Sequence, residues 1–309
     1  MARFFRNLAI TAKNEATYGV DAAPTGAANA MQMVNARLEP LVGEDVNREL
    51  MLPYMGHQGV ILVGNYARLT GEVEIAGSGT AGTAPAYGPL LRACAMQEVV
   101  SAGVDVQYTP ISKLQEAATI HFNPDGVRHV LLGSRGTFTM NLTPRQIPRF
   151  SFTLTGLLGT ITDTALPAVT LAAWQKPVPV SKANTTFSLH GHAGACEGVT
   201  MDIGNQIEPR FLIGAESIEH VDRQMTGSAI MEAVSLATKN WFQIAQAHTK
   251  GVLAAVHGIE AGNIVEFGAP AVQVGRPTLG ETQRILNNTL PLFYTPTAAG
   301  NDEFKITVK

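Results

Sequence analysis

At 309 residues the chain exceeds the usual single-domain length, which predicts two domains of roughly 150 residues each. Hydrophobic residues make up 45%, enough for a core in each, whereas charged residues make up only 15%, against about 25% in globular proteins. That deficit points to surface buried against other subunits, and a net charge of −3 argues against a dedicated nucleic-acid binder, which carries a basic stripe.

The N-terminal stretch Met1–Ala16 has arginines inside its only apolar run and no small-residue cleavage site, so no signal peptide is expected. No segment reaches about 18 apolar residues, so no membrane span is expected, and the protein is read as soluble. Leu8–Lys13 has the character of a short strand. A turn-rich loop follows at Tyr18–Gly26, then a strand at Met31–Leu38. Between Gly43 and Gly64 lies a long connection that holds Pro53 and most of the local charge. Connections of this length inside a compact domain are functional or interface-forming, so a projecting hairpin or arm is expected.

Leu69–Ile75 alternates apolar with polar or tiny residues, the period of a half-buried strand, and carries Thr70-Gly71 near its start. A Gly/Ser/Thr/Ala loop and an apolar segment suited to a helix, Tyr87–Ala95, follow. Val104–Tyr108 begins a β-rich stretch, and Ala118–Phe122 and Val127–Leu132 flank Asn123-Pro124-Asp125-Gly126, a strong hairpin signal. Thr137–Leu142 and Phe150–Thr155 alternate as antiparallel strands with one buried face. From Pro167 to Asn184 the pattern lapses, and Pro167, Pro177 and Pro179 mark a linker. Beyond it come strands at Thr186–Leu189 and Val199–Ile203 and a connection around Asn205–Gly214. Met225–Glu232 then repeats the hydrophobic-Thr-Gly start and leads to a helical run, Lys239–Ala247. Gly251–Val256, Asn263–Phe267 and Ala271–Val274 read as strands, with Ile285–Phe293 as the counterpart of Phe150–Leu158. One Thr-Gly strand before one helix in each half reads as a diverged internal duplication, with the long arm mainly in the first half. The expected architecture is mainly β: one domain over residues 1–170, a Pro-rich linker over 171–184 and a similar domain over 185–309.

Gly77-Ser78-Gly79-Thr80-Ala81-Gly82 fits G-x-G-x-x-G, but Pro85, Gly88 and Pro89 delay the helix and no βαβ crossover follows. It reads as a flexible strand-to-helix loop. Alternation would place His190 and His192 on one face of a strand near Glu197, yet a third metal ligand at defined spacing is missing. Glu72 and Glu74 could be mistaken for a glycosidase pair and fit better on the exposed or cavity-lining face of a strand. No serine sits in a nucleophile elbow. Cys94 and Cys196 read as reduced thiols, and the sequons at Asn141, Asn184 and Asn287 as chance matches. No catalytic, cofactor or metal constellation emerges, so the chain is read as no enzyme.

Four phrases carry a resemblance: Ile10–Ala30 (ITAKNEATYGVDAAPTGAANA), Leu69–Leu91 with its GSGTAGTAPAYGPLL core, the Phe122–His129 hairpin, and Ala299–Glu303 (AGNDE). Together they resemble tail tube (major tail) proteins of long-tailed, non-contractile bacteriophages. The resemblance implies β-sandwich or barrel-like domains, each with one flanking helix, assembled into rings that stack into a hollow virion tube delivering the genome. A chain with two such domains would close a pseudo-sixfold ring with three copies. It further implies a tape-measure protein inside the tube, tail terminator and distal tail proteins at its ends, passage of double-stranded DNA, and assembly in the bacterial host cytoplasm. On this reading Glu44, Asp45, Arg48 and Glu49 lie at a subunit or ring-to-ring contact, and Glu72 and Glu74 face the lumen, where carboxylates would repel phosphates. The alternative is a virion decoration or carbohydrate-binding β-sandwich. It is disfavoured by an aromatic content of only 6%, with Trp174 in the linker and Trp241 in a helix.

Overall fold

The structure is a computed structural model, and it describes residues 3–309. The first half contains β1 (Leu8–Asn14), β2 (Ala30–Met31), β3 (Val34–Asn47), β4 (Val60–Glu74), α1 (Gly88–Ala93), β5 (Met96–Ser101), β6 (Asp105–Pro110), β7 (Ala118–Pro124), β8 (Val127–Leu142), β9 (Arg149–Leu158) and β10 (Thr162–Asp163). No strand or helix lies between residues 164 and 184, where prolines deny ladder hydrogen bonds. The second half contains β11 (Thr185–Leu189), β12 (Cys196–Asp202), β13 (Asn205–Leu212), β14 (Ala215–Arg223), β15 (Thr226–Glu232), α2 (Trp241–Gln246), β16 (Lys250–His257), β17 (Val265–Val274), β18 (Thr278–Thr282), β19 (Ile285–Tyr294) and β20 (Lys305–Val308). The fold is mainly β and sandwich-like.

Two runs of antiparallel neighbours stand out. In the first half the order is β1-β7-β8-β9-β4-β3. In the second it is β11-β16-β17-β19-β15-β12. A pairing of β8 with β12, and the C-terminal β20 lying between β6 and β17, join the runs into one sheet of eighteen strands. The Thr-Gly glycines have a shared steric reason. A Cβ at Gly71 would meet Met33 at 2.6 Å, and one at Gly227 would meet the Thr200 carbonyl oxygen at 2.4 Å. The core is one apolar cluster through both halves. Its aromatic spine packs Tyr87 on Phe150 (5.5 Å), Phe150 on Phe138 (5.4 Å) and on Phe267 (6.3 Å), and Phe267 on Phe304 (6.3 Å), in the tilted and offset geometries that ring quadrupoles favour.

Asp125 and Gly126, with φ of 42° and 94°, form the hairpin turn that Asn-Pro-Asp-Gly predicts. Several elements differ from the sequence expectations. Val127–Leu132 and Thr137–Leu142 belong to the single strand β8, bent by a bulge between Leu132 and Arg135. Gly133 takes φ 55° there; its N–H donates to Glu15 Oε1 at 2.7 Å, and the Tyr18 ring occupies the space of a Cβ. The N-terminal phrase thus closes over the bulge. The expected break between Phe267 and Ala271 is likewise absent, because Pro270 sits at a register shift between β16 and β17 where no ladder N–H is needed. Strand β5 escaped notice because Val99 and Val100 are both exposed, which erases its alternation. Met31–Leu38 is split between β2 and β3.

Candidate functional site

Strands β3 and β4 pair from Val34–Glu72 out to Asn47–Val60, so the long connection is a continuous hairpin that carries residues 48–59 away from the core. Gln58 closes its tip: Leu50 N donates to Gln58 Oε1 at 2.8 Å, and Gln58 Nε2 donates to Leu50 O at 2.5 Å. Residues 43–63 are all exposed, with Met51 and Met55 as open as in an extended peptide, at 102% and 101%. Tyr54, Leu62 and Ile61 are also bare. Glu44 and Asp45 stand opposite Val63 and Leu62, while Arg48 and Glu49 lie just beyond the paired region. The four are brought together on this arm, and none joins an ion pair among the described residues. The charged residues drew attention in the sequence, yet the larger signal is apolar. Isolated exposed hydrophobics are ordinary; a contiguous exposed apolar patch of this kind marks an interaction surface.

The second half holds a hairpin in the equivalent place, which corrects the expected simple connection around Asn205–Gly214. Strands β13 and β14 pair from Asn205–Arg223 to Leu212–Ala215 and fold back against the first half. The anchors are polar. Asn205 Nδ2 donates to the Cys94 and Gly136 carbonyls at 2.8 and 3.0 Å, and Ile218 N donates to Tyr18 Oη at 2.6 Å. Arg135 Nη1 donates to Ile218 O at 2.8 Å and to Glu219, while the Phe211 ring packs beside Gly64 at the base of the arm. One hairpin projects because its residues face only solvent; the other is retained because each anchor finds a partner on β8 or the N-terminal segment.

Glu72 and Glu74 share one face of β4 and are half-buried, not free. Arg149 on β9 lies between them, its Nη1 3.0 Å from Glu72 Oε2 and its Nη2 3.8 Å from Glu74 Oε1, so the triad carries one net negative charge.

A family model for the phage tail tube protein matches residues 6–290. The chain belongs to the phage tail tube protein family. A search of curated proteins finds no match. A tail tube protein is a structural component of the virion tail, and that role calls for no catalytic centre.

The remaining motifs find structural explanations in this tail tube protein. Gly77 and Gly79 press against the turn that joins β16 to β17: Gly79 N donates to Gly262 O at 2.9 Å, and Gly77 N to Asn263 Oδ1 at 2.7 Å. The Gly-rich loop is a backbone seam. His190 and His192 do not share a strand face, because His190 (φ 50°) and Gly191 (φ 75°) form a turn that bridges Leu189 to His192. Both rings pack edge-on to Trp241, and Glu197 instead accepts from Thr282 and Asn287. Among the described residues no His/Cys/Asp/Glu group has metal-binding geometry, and no helix is long and apolar enough to cross a membrane. Cys94 and Cys196 are unpaired, and burial pushes both thiols up, Cys196 to about 11.

His220 on β14 was not singled out by sequence. Its Nε2 donates to Gly136 O at 3.2 Å, and its Nδ1 has no partner among the described residues. Burial, reinforced by the Arg135 charge, lowers its pKa to about 4. The neutral form is therefore built into the fold, while an unfolded histidine protonates near pH 6.5. Stability from this group is complete above about pH 6.5 and declines as pH falls toward 4, because the unfolded chain then binds the extra proton. Acidifying from pH 7 to 4 is expected to remove up to roughly 3 kcal/mol through His220. Urea midpoints across that range should flatten in His220→Gln; an unchanged pH slope would exclude this assignment.

Proposed function

We propose that this tail tube protein consists of two diverged copies of one unit, residues 1–170 and 185–309 joined by the 171–184 linker. Three chains close a ring of pseudo-sixfold symmetry, and rings stack into the hollow tube that conducts double-stranded DNA. The arm carries this reading: a long, exposed hairpin rich in apolar residues that no other described residue of its chain covers. The matching strand orders of the halves support the duplication, and a contact that closes by rotation gives a ring while an axial one gives a filament. Glu44, Asp45, Arg48 and Glu49 form the polar rim around the apolar arm at a subunit or ring contact. A tape-measure protein fills the tube during assembly in the host cytoplasm, and terminator and distal tail proteins cap its ends. Negative-stain electron microscopy with light scattering tests this. Tubes of uniform bore, or three-chain rings with six lobes, are expected. Monomers that even an initiating tail complex does not convert to tubes would overturn it.

Glu72 and Glu74 are proposed to face the lumen, where they screen Arg149 from passing phosphates. Glu72→Gln with Glu74→Gln leaves that guanidinium uncompensated, adding a salt-dependent grip on the duplex at every repeat. Virions built from this variant should retain their tails and eject DNA several-fold more slowly at low salt, with recovery at high salt. Ejection at the ordinary rate in low salt would remove these carboxylates from the lumen.

A further inference from the structure

A cavity of about 650 Å³ lies between Arg223–Thr226, the end of β19 at Phe293 and Tyr294, and the loop that leads into β20. That volume is typical of sites for small ligands. Part of its wall comes from Gly300, Asn301 and Glu303, which belong to the AGNDE phrase of the sequence. Phe293 lines it as well and is 46% exposed.

Two buried polar groups in this wall lack partners. Tyr294 is 5% exposed, and its Oη has no hydrogen-bond partner among the described residues. Glu303 is 6% exposed; its Oε1 accepts from Arg223 Nε at 2.6 Å, whereas its Oε2 has no partner among the described residues. Native structures satisfy nearly all such groups, so two orphans beside one cavity point to something that enters it.

Charge and hydrogen bonding narrow the class of ligand. Arg223 is fully engaged: besides Glu303, its Nη1 donates to Ile111 O at 3.0 Å and its Nη2 to Asn301 Oδ1 at 3.2 Å. Arg223 and Glu303 are the only formally charged residues that line the cavity, and they offset each other, so no net charge draws in an ion. Glu303 Oε2 needs a donor. The Tyr294 hydroxyl can donate and accept, and burial raises its pKa, which keeps it protonated. A neutral ligand with several hydroxyls meets both groups, and a ligand with an apolar C–H face also covers Phe293.

We infer that this cavity binds a neutral sugar ring, with one hydroxyl donating to Glu303 Oε2, another bonded to Tyr294 Oη and the apolar ring face against Phe293. The site adds ligand binding to the structural role and does not depend on the ring reading. Sequence alone disfavoured carbohydrate binding because Trp174 and Trp241 lie elsewhere; here the apolar face is a phenylalanine at the end of a strand.

The test is saturation-transfer difference NMR on the full chain, titrated with glucose, galactose, mannose and N-acetylglucosamine in turn. Transfer to the ring protons of at least one sugar is expected. Tyr294→Phe removes only the unpartnered hydroxyl and should weaken binding about tenfold, the scale of one lost hydrogen bond. Its melting temperature should not fall, since the hydroxyl has no partner in the fold to lose. Phe293→Ala removes the apolar face and should weaken binding by a similar factor. Transfer to none of the four sugars would overturn the site, whether or not the chain forms tubes. Equal affinity in the unsubstituted chain and both variants would place the sugar elsewhere and overturn it too. A lower melting temperature for Tyr294→Phe would mean that the fold already uses this hydroxyl, which also sinks the proposal.

Discussion

Arg135→Ala is expected to lower folding stability by about 2–3 kcal/mol, the scale for leaving buried backbone carbonyls without a donor, with a smaller share from its half-exposed partner Glu219. Arg135 is only 9% exposed. Its guanidinium donates to Ile218 O, to Glu219 and to Gln115 O, and lies 4.9 Å from the centre of the Tyr18 ring. Alanine would leave the Ile218 and Gln115 carbonyls without this donor and would loosen β13 and β14 from β8. The measurement is a urea midpoint together with the rate of proteolysis between residues 205 and 223, which should rise. Arg135→Lys keeps the charge and loses the planar fork, so it should recover only part of the loss. A loss under about 1 kcal/mol for the alanine variant would show that the network is dispensable.

The second large effect is expected at Gly262, where alanine should cost roughly 3 kcal/mol. Two reasons act together. Gly262 has φ 84°, in the left-handed region, and a Cβ there would lie 2.4 Å from the carbonyl carbon of Gly79. Backbone cannot swing aside as a side chain can. The seam is reciprocal, since a Cβ at Gly77 would meet the Gly262 carbonyl oxygen at 2.0 Å. Gly268→Ala is the control: nothing lies within 4 Å of its Cβ position, so a change within about 0.5 kcal/mol is expected. Thermal denaturation of both variants decides the matter. Equal midpoints would mean the Gly-rich loop can shift, and the seam would not hold the halves together.

Much of this architecture could be read from residue order. Period-2 alternation in Leu69–Ile75 and Phe150–Thr155, the Asn-Pro-Asp-Gly turn and the proline-interrupted linker are local signals, because strand faces and turn dihedrals depend on near neighbours. The family was legible as well, through whole phrases. Glu15 and Tyr18 show why such a phrase carries information: they hold the bulge of β8, more than a hundred residues away. Where the signal is not local, reading failed. The β13–β14 hairpin depends on Asn205, Ile218 and His220 finding partners on β8, and no property of 205–223 taken alone reports those partners. Glu72 and Glu74 looked like free carboxylates because Arg149 lies far along the chain and reaches them only when β9 pairs with β4.

The sequence by itself determined the β character, the turn positions and the long charged arm, which rest on local periodicity and composition, and the kinship with tail tube proteins, which rests on whole phrases that resemble the family. Tertiary structure alone decided that the second-half hairpin folds back, which carboxylates are neutralised, and which strand edges are left open. Those outcomes depend on hydrogen-bond partners and charges that only long-range strand pairing brings within reach.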